Sequence, residues 1–188
     1  MQAAALLILI TLSCGGSGDI CNCTPSVSTS QDYRHQEKHI PLPTMAPSEI
    51  NVNTILAWPQ DAAVPSTQPR TGRELQLFHI AQAYLQSARV MANDCDIHLE
   101  ISQTAGKTAP RVIVETPVDS EYCPARKNIQ SQLAHHGFTL NERRGGELPA
   151  ALAVDIVGMA FEDFEHRRGS AQVATVWELH PAIVTITQ

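Results

Sequence analysis

The chain has 188 residues, 43% of them hydrophobic, with 13 basic against 19 acidic side chains and a formal net charge of -6. That gives room for one modest core plus tails, and the acidic balance opposes counterion release from a nucleic-acid backbone, so a polyanion is not the expected partner. With no G-x-S-x-G elbow, G-x-x-x-x-G-K-S/T loop, H-E-x-x-H or G-x-G-x-x-G, the serine-hydrolase, P-loop, zincin and dinucleotide readings lose their usual support.

Residues 1–14 read as a signal peptide. The apolar run A-A-A-L-L-I-L-I-T-L is far short of the roughly 20 residues that span a bilayer, and it ends in small residues. Thr11-Leu12-Ser13-Cys14 approximates a bacterial lipobox, which makes Cys14 a candidate for lipidation and the membrane a candidate partner. Plain secretion is the alternative, and both place the chain outside the cytoplasm, in a periplasm or cell envelope. Residues 15–47 are rich in Ser, Thr, Pro, Gln and Gly and poor in large apolar groups, so they are expected to be a disordered linker. His35 and His39 within it could share a metal if that stretch were helical, although a solvated charge mix is the simpler reading.

A single domain is expected over residues 48–188. Residues 48–58 suit a short helix or strand, followed by a polar loop punctuated by Pro59, Pro65 and Pro69. Residues 74–90 combine near-alternation with Phe78, Ile80, Tyr84 and Val90, which predicts a long first strand bent near residues 81–83. Residues 96–102 form the second strand, with Asp96, His98 and Glu100 on one face and Ile97, Leu99 and Ile101 on the other. In the third, residues 111–116, Val112 and Val114 oppose Ile113 and Glu115. Residues 124–136 form the one clear helix, with Pro124 in its first turn, Ile129 and Leu133 at helical spacing and Gly137 as a stop. Residues 151–161 form the fourth strand, with Gly158 a bulge or close-approach point, and residues 173–186 the fifth. Three strands, a helix and two strands is the element order of a five-stranded OB-like barrel, mainly β, with its helix between strands three and four.

Cys21, Cys23, Cys95 and Cys123 form an even set suited to an oxidising compartment. A Cys95–Cys123 bridge is expected, closing a loop of about 28 residues and contributing roughly 3 to 4 kcal/mol in the chain-entropy model. Cys21 and Cys23 are left in the tail, reduced or part of the leader.

Four separated motifs carry a resemblance. D-C-D-I-H-L at Asp94, E-T-P at Glu115, V-G-M-A-F-E-D-F-E-H at Val157 and E-L-H-P at Glu178 resemble, in that order, a family of small exported bacterial proteins of unassigned activity. The likeness covers residues 54–186 and implies an exported single domain with an OB-like barrel.

In such a barrel the third strand lies between the second and the fifth, so His98, Glu115, Glu178 and His180 would converge on one face, with Asp163 and His166 close by. Such a set can be a structural network that fixes register. It also suits a divalent transition metal, with His98, Glu115 and His180 as ligands. A binding or structural module anchored in the envelope is the preferred function. The alternative is a metal-dependent, nuclease-like phosphodiesterase with His98, Glu115, Glu178 and His180 as ligands or acid-base groups. Arg143, Arg144, Arg167 and Arg168 give two basic pairs on loops, too little for a nucleic-acid surface. Neither a ligand nor a protein partner can be named from these residues.

Overall fold

The computed structural model describes residues 19–29, 31–61, 64–164 and 169–187. Cys14, the leader, His166, Arg167 and Arg168 lie outside the described residues. The elements in chain order are α1 (His35–Lys38), β1 (Ser48–Glu49), α2 (Val52–Leu56), β2 (Leu77–Val90), β3 (Ile97–Ser102), β4 (Arg111–Thr116), α3 (Cys123–His135), β5 (Gly146–Glu162) and β6 (Val173–Ile186). The five long strands pair in the order β2-β3-β4-β6-β5, and β5 pairs back onto β2 to close the barrel. Every pairing in the ring is antiparallel except β4 with β6. This is the OB-like barrel expected from the element order, with α3 between its third and fourth strands.

Inward-facing residues build the core: Ile80 and Leu85 of β2, Ile97, Leu99 and Ile101 of β3, and Val112 and Val114 of β4, with Ile156 of β5 and Leu179 and Val184 of β6, are all buried. Ile129 and Leu133 of α3 join the same cluster, and Gly137 at φ +73 ends the helix turn in the left-handed region. The bend expected in the first strand is a register shift between Ile80 and Ala83. Gly158 sits where β5 and β6 slip register, and a Cβ there would stand 2.7 Å from that of Ala182. The fourth strand starts at Gly146, five residues earlier than expected, in spite of Pro149. Between the pairs Ser87↔Glu147 and Leu85↔Leu152 the partner strand advances two residues while β5 advances five, so Pro149 lies in a bulge with no ladder bond to donate.

The largest departure from the sequence reading is at the N-terminus. Residues 19–29 and 31–47, expected as part of a disordered linker, run along the barrel as a strap. The bridges are Cys21–Cys123 and Cys23–Cys95, so the expected Cys95–Cys123 pairing is replaced: both cysteines are bridged, but each to the strap. Arg126 of α3, fully buried, supplies the local reason. It donates to the Ile20 carbonyl through Nε and Nη2 (3.1 and 2.8 Å), and to the carbonyls of Cys95 and Thr116 (2.8 and 2.9 Å). One guanidinium thus gathers strap, β4 and the residues leading into β3 at one point, beside both bridges. Further along, Ser26 and Val27 donate to the carbonyls of Ala92 and Asn93 (2.9 and 3.0 Å). Arg34 forms a two-pronged pair with Glu74 (2.7 and 2.9 Å) while stacking over Phe161. Tyr122 donates to the Ile40 carbonyl. Composition missed this because what holds the strap is polar and covalent rather than apolar.

Beyond the strap, β1 adds in parallel to β2, Ser48 opposite Phe78 and Glu49 opposite His79. His79 bridges this edge: Nδ1 lies 2.6 Å from Glu49 and Nε2 2.8 Å from Asp155 of β5. The hydrogen bonds to Glu49 and Asp155 raise its pKa above the ordinary imidazole value. A raised folded-state pKa contributes stability that is fully present below the unfolded value of about 6.5 and is lost as pH rises through the folded one. The Ile50 amide, bonded to the His79 carbonyl at 2.9 Å, should therefore lose exchange protection as pH is raised from 6 through the His79 titration, beyond the intrinsic base catalysis of exchange. His79→Gln should remove that pH dependence.

Candidate functional site

The β3-β4-β6 part of the barrel presents ionisable residues on the side away from the core. The register sets His98 opposite Glu115, Glu100 opposite Ile113, Ile113 opposite Glu178 and Val114 opposite Leu179, which brings His180 beside Glu115. His98, Glu115, Glu178 and His180, the four residues expected to converge, do so. Glu115 is central, one oxygen 2.7 Å from His98 Nδ1 and the other 3.0 Å from His180 Nδ1. His180 Nδ1 is also 3.2 Å from Glu178, and its Nε2 is 3.1 Å from Asp96 Oδ2. Although close, that last pair is not aligned as donor and acceptor, and neither atom has a hydrogen-bond partner among the described residues.

All five side chains are buried, because the strap, with Asp163, Phe164, Gly169 and Ser170 from the ends of the β5–β6 connection, lies across a sheet face that would otherwise meet water. Lys38 of the strap enters the cluster; burial opposes its charge, but Asp163, Glu178, Glu115 and Asp32 outweigh this and hold the ammonium well above its ordinary pKa. Burial likewise disfavours charge on the imidazoles, yet Glu100 and Glu115 push His98 up to about 9, and Asp96, Glu115 and Glu178 hold His180 well above 6.5. Burial works against ionising Glu115, but the two imidazoles beside it keep its carboxyl well below the ordinary range. Asp94 is the exception: burial first, then Asp96 and Glu115, push it up to about 7. Among the described residues three cations, Lys38, His98 and His180, thus face several carboxylates, and a buried charge left alone would be costly.

At the other end of the face Arg111, almost wholly buried, donates to Glu100 at 2.9 Å and also pairs with Glu147. Ser170 caps Glu100 with its amide at 2.8 Å and its hydroxyl at 2.5 Å. These contacts, with His98, hold Glu100 at about 2 against the effect of burial.

The cover is incomplete. A cleft of about 250 Å³ opens between the strap, the β2–β3 turn and the pair Phe164 and Gly169, and His98, Glu115, Asp94, Asp32, Asp163 and Lys38 reach it. Asp163, expected near the cluster, is there. Arg143 and Arg144, in a turn capped by Asn141 Oδ1, are exposed and take no part. Sequence reasoning missed the strap's contribution of Lys38, Asp32 and His39. The pair Cys21-x-Cys23 was the available signal, since two more cysteines after the leader imply that the segment is fastened to something.

No family model matches the chain, and neither a curated protein nor a solved structure matches it. The functional reading therefore rests on these residues.

Gly169, at φ +83, closes the cleft over His98 and Glu100: a Cβ there would lie 2.4 Å from Glu100 Oε1 and 3.1 Å from His98 Nε2. Gly169→Ala should cost roughly 1–3 kcal/mol from backbone strain and displacement of the loop, read from denaturant unfolding. An unchanged midpoint would show that the loop does not depend on this approach.

Proposed function

We propose that the protein is an exported binding module whose ligand is small and positively charged, held in the cleft over β3 and β4. Its two disulfides suit an oxidising compartment outside the cytoplasm. The observation that carries the reading is the charge of the cleft wall. Among the described residues, Asp32, Asp94, Glu115 and Asp163 line it against Lys38 and His98, between apolar surfaces from Val27, Met91, Ile113 and Phe164. A pocket with apolar walls and a few convergent charges is built to orient a small ligand, and excess carboxyl favours an ammonium or guanidinium group over an anion. OB barrels use the face of their second and third strands for ligands, here β3 and β4, which agrees with this location as an analogy of fold.

The phosphodiesterase alternative draws less support. Both Glu115 oxygens are engaged by imidazoles, and Glu178 and His180 lie beneath the cover rather than in the cleft. Polyanionic substrates would also meet an acidic wall. If Cys14 carries a lipid, the strap sets the distance: with Ile20 already in the core, the remaining chain spans at most roughly 20 Å. The barrel would then sit close to the membrane surface rather than on a long tether.

Titration calorimetry with putrescine and arginine, against acetate and glutarate as matched anions, tests the reading. Saturable binding of an amine, weakened roughly tenfold or more by Asp94→Asn through loss of a charged hydrogen bond, is the expected result. Preference for the carboxylates, or no binding of either class, would overturn it.

A further inference from the structure

Beside this cleft, sharing Asp32 with its wall, lies a second constellation whose two histidines the cationic-ligand reading does not use. The strap reads D-x-x-H-x-x-x-H from Asp32 through His35 to His39. The turn α1 is helical, with the amide of His39 bonded to the carbonyl of His35 at 3.1 Å. The two imidazoles therefore share one side of the turn, with ring centroids 3.9 Å apart. This is the condition under which the sequence allowed the pair to share a metal. Asp32 Oδ2 lies 2.9 Å from His35 Nδ1 and 3.9 Å from His39 Nε2. From the barrel, Asp96 Oδ2 approaches His39 Nε2 to 3.7 Å.

Two of these atoms are buried without a hydrogen-bond partner among the described residues: His39 Nε2 and Asp96 Oδ2. Buried polar atoms are rarely left so, and Asp96 Oδ2 stands between two such nitrogens, His39 Nε2 at 3.7 Å and His180 Nε2 at 3.1 Å. Three of the ligands are held by their other atoms. His39 Nδ1 is 2.6 Å from Asp119, Asp96 Oδ1 accepts from the Val118 amide at 2.8 Å, and Asp32 Oδ1 lies 3.7 Å from Lys38 Nζ. A carboxylate on one imidazole nitrogen that leaves the other nitrogen as a lone pair is the usual support of a metal-bound histidine. Ligands bound at 2.0–2.2 Å around a tetrahedral zinc lie roughly 3.3–3.5 Å from one another; the ligand atoms of Asp32, His35 and His39 all lie within 4.8 Å of one another, and Asp96 adjoins them on the His39 side at 3.7 Å.

We propose that Asp32, His35 and His39 of the strap, with Asp96 of the barrel, bind one divalent transition-metal ion of the zinc class, which pins the strap across the polar face. His35, with a quarter of its side chain exposed, gives the ion its way in. Two imidazoles and two carboxylates match zinc, cobalt or nickel better than calcium or magnesium, which prefer all-oxygen sites.

Zinc titration of the chelator-treated full-length chain, followed by calorimetry, tests this, with Co2+ absorption in the visible as a second readout. The site predicts one equivalent of zinc and a four-coordinate cobalt spectrum. It also predicts at least tenfold weaker binding in His35→Gln and in His39→Gln, and roughly 10- to 100-fold weaker binding in Asp119→Asn. Asp94→Asn, which lines the cleft outside the ligand set, should leave zinc affinity unchanged while weakening the amine, so the two readings fail separately. Absence of saturable zinc binding, or binding that neither histidine substitution alters, overturns the site. His35→Gln removes a side chain that is a quarter exposed, and its thermal unfolding without metal, expected to match wild type, separates loss of a ligand from loss of the fold.

Discussion

A charged sheet face taken out of water must find its opposite charges within the protein, and this requirement governs the molecule. On β3, β4 and β6 the face away from the core carries Asp96 beside β3, with His98, Glu100, Glu115, Glu178 and His180 on the strands, all buried. Burying isolated ions of this kind would cost several kcal/mol each. Two things offset the cost: imidazoles that carry protons between carboxylates, and a strap that brings Lys38 into their midst. Glu115, held between His98 and His180, ties the three strands together at the one parallel pairing in the barrel. The same strap that supplies the cation excludes the water, so cover and charge balance are one arrangement.

Fastening such a strap by apolar contact alone was not open to this sequence. The segment has few large hydrophobic groups; among residues 19–47, Ile20 reaches the core. Its attachment is instead covalent at Cys21 and Cys23, and hydrogen-bonded through Arg126 and Arg34, whose guanidinium groups satisfy carbonyls that burial would otherwise strand. Cross-links that close long loops constrain the unfolded chain most in the entropic account. The bridges here span sequence separations of 102 and 72 residues, much longer than the expected Cys95–Cys123 loop.

The barrel was legible because its signals are local. Alternation in I-H-L-E-I-S and V-I-V-E assigned inward and outward faces correctly, and Pro124 and Gly137 bracketed the helix. Gly158 marked a close approach that only a missing Cβ allows. The convergence of His98, Glu115, Glu178 and His180 followed from strand order. The strap was not legible, since its signals are long-range: a cysteine pair whose partners lie 72 and 102 residues away, and a buried Arg126 that in sequence is one more helix cation. The start of β5 was missed for a similar reason, because Pro149 breaks a strand pattern on paper but sits in a bulge. His35 and His39 were visible as a pair, yet their meaning depended on a helical turn and on Asp96 arriving from the barrel.

The measurement that bears most directly on this account is hydrogen-deuterium exchange across residues 19–47 of the full chain under native conditions. If the strap seals the charged face, the amides of Val27, Lys38 and His39, bonded to the carbonyls of Asn93, Arg34 and His35, should be protected well above free-chain rates. That protection should fall when the disulfides are reduced. Exchange at free-chain rates throughout the segment, with the barrel amides still protected, would contradict the account and leave the ionisable face open to water.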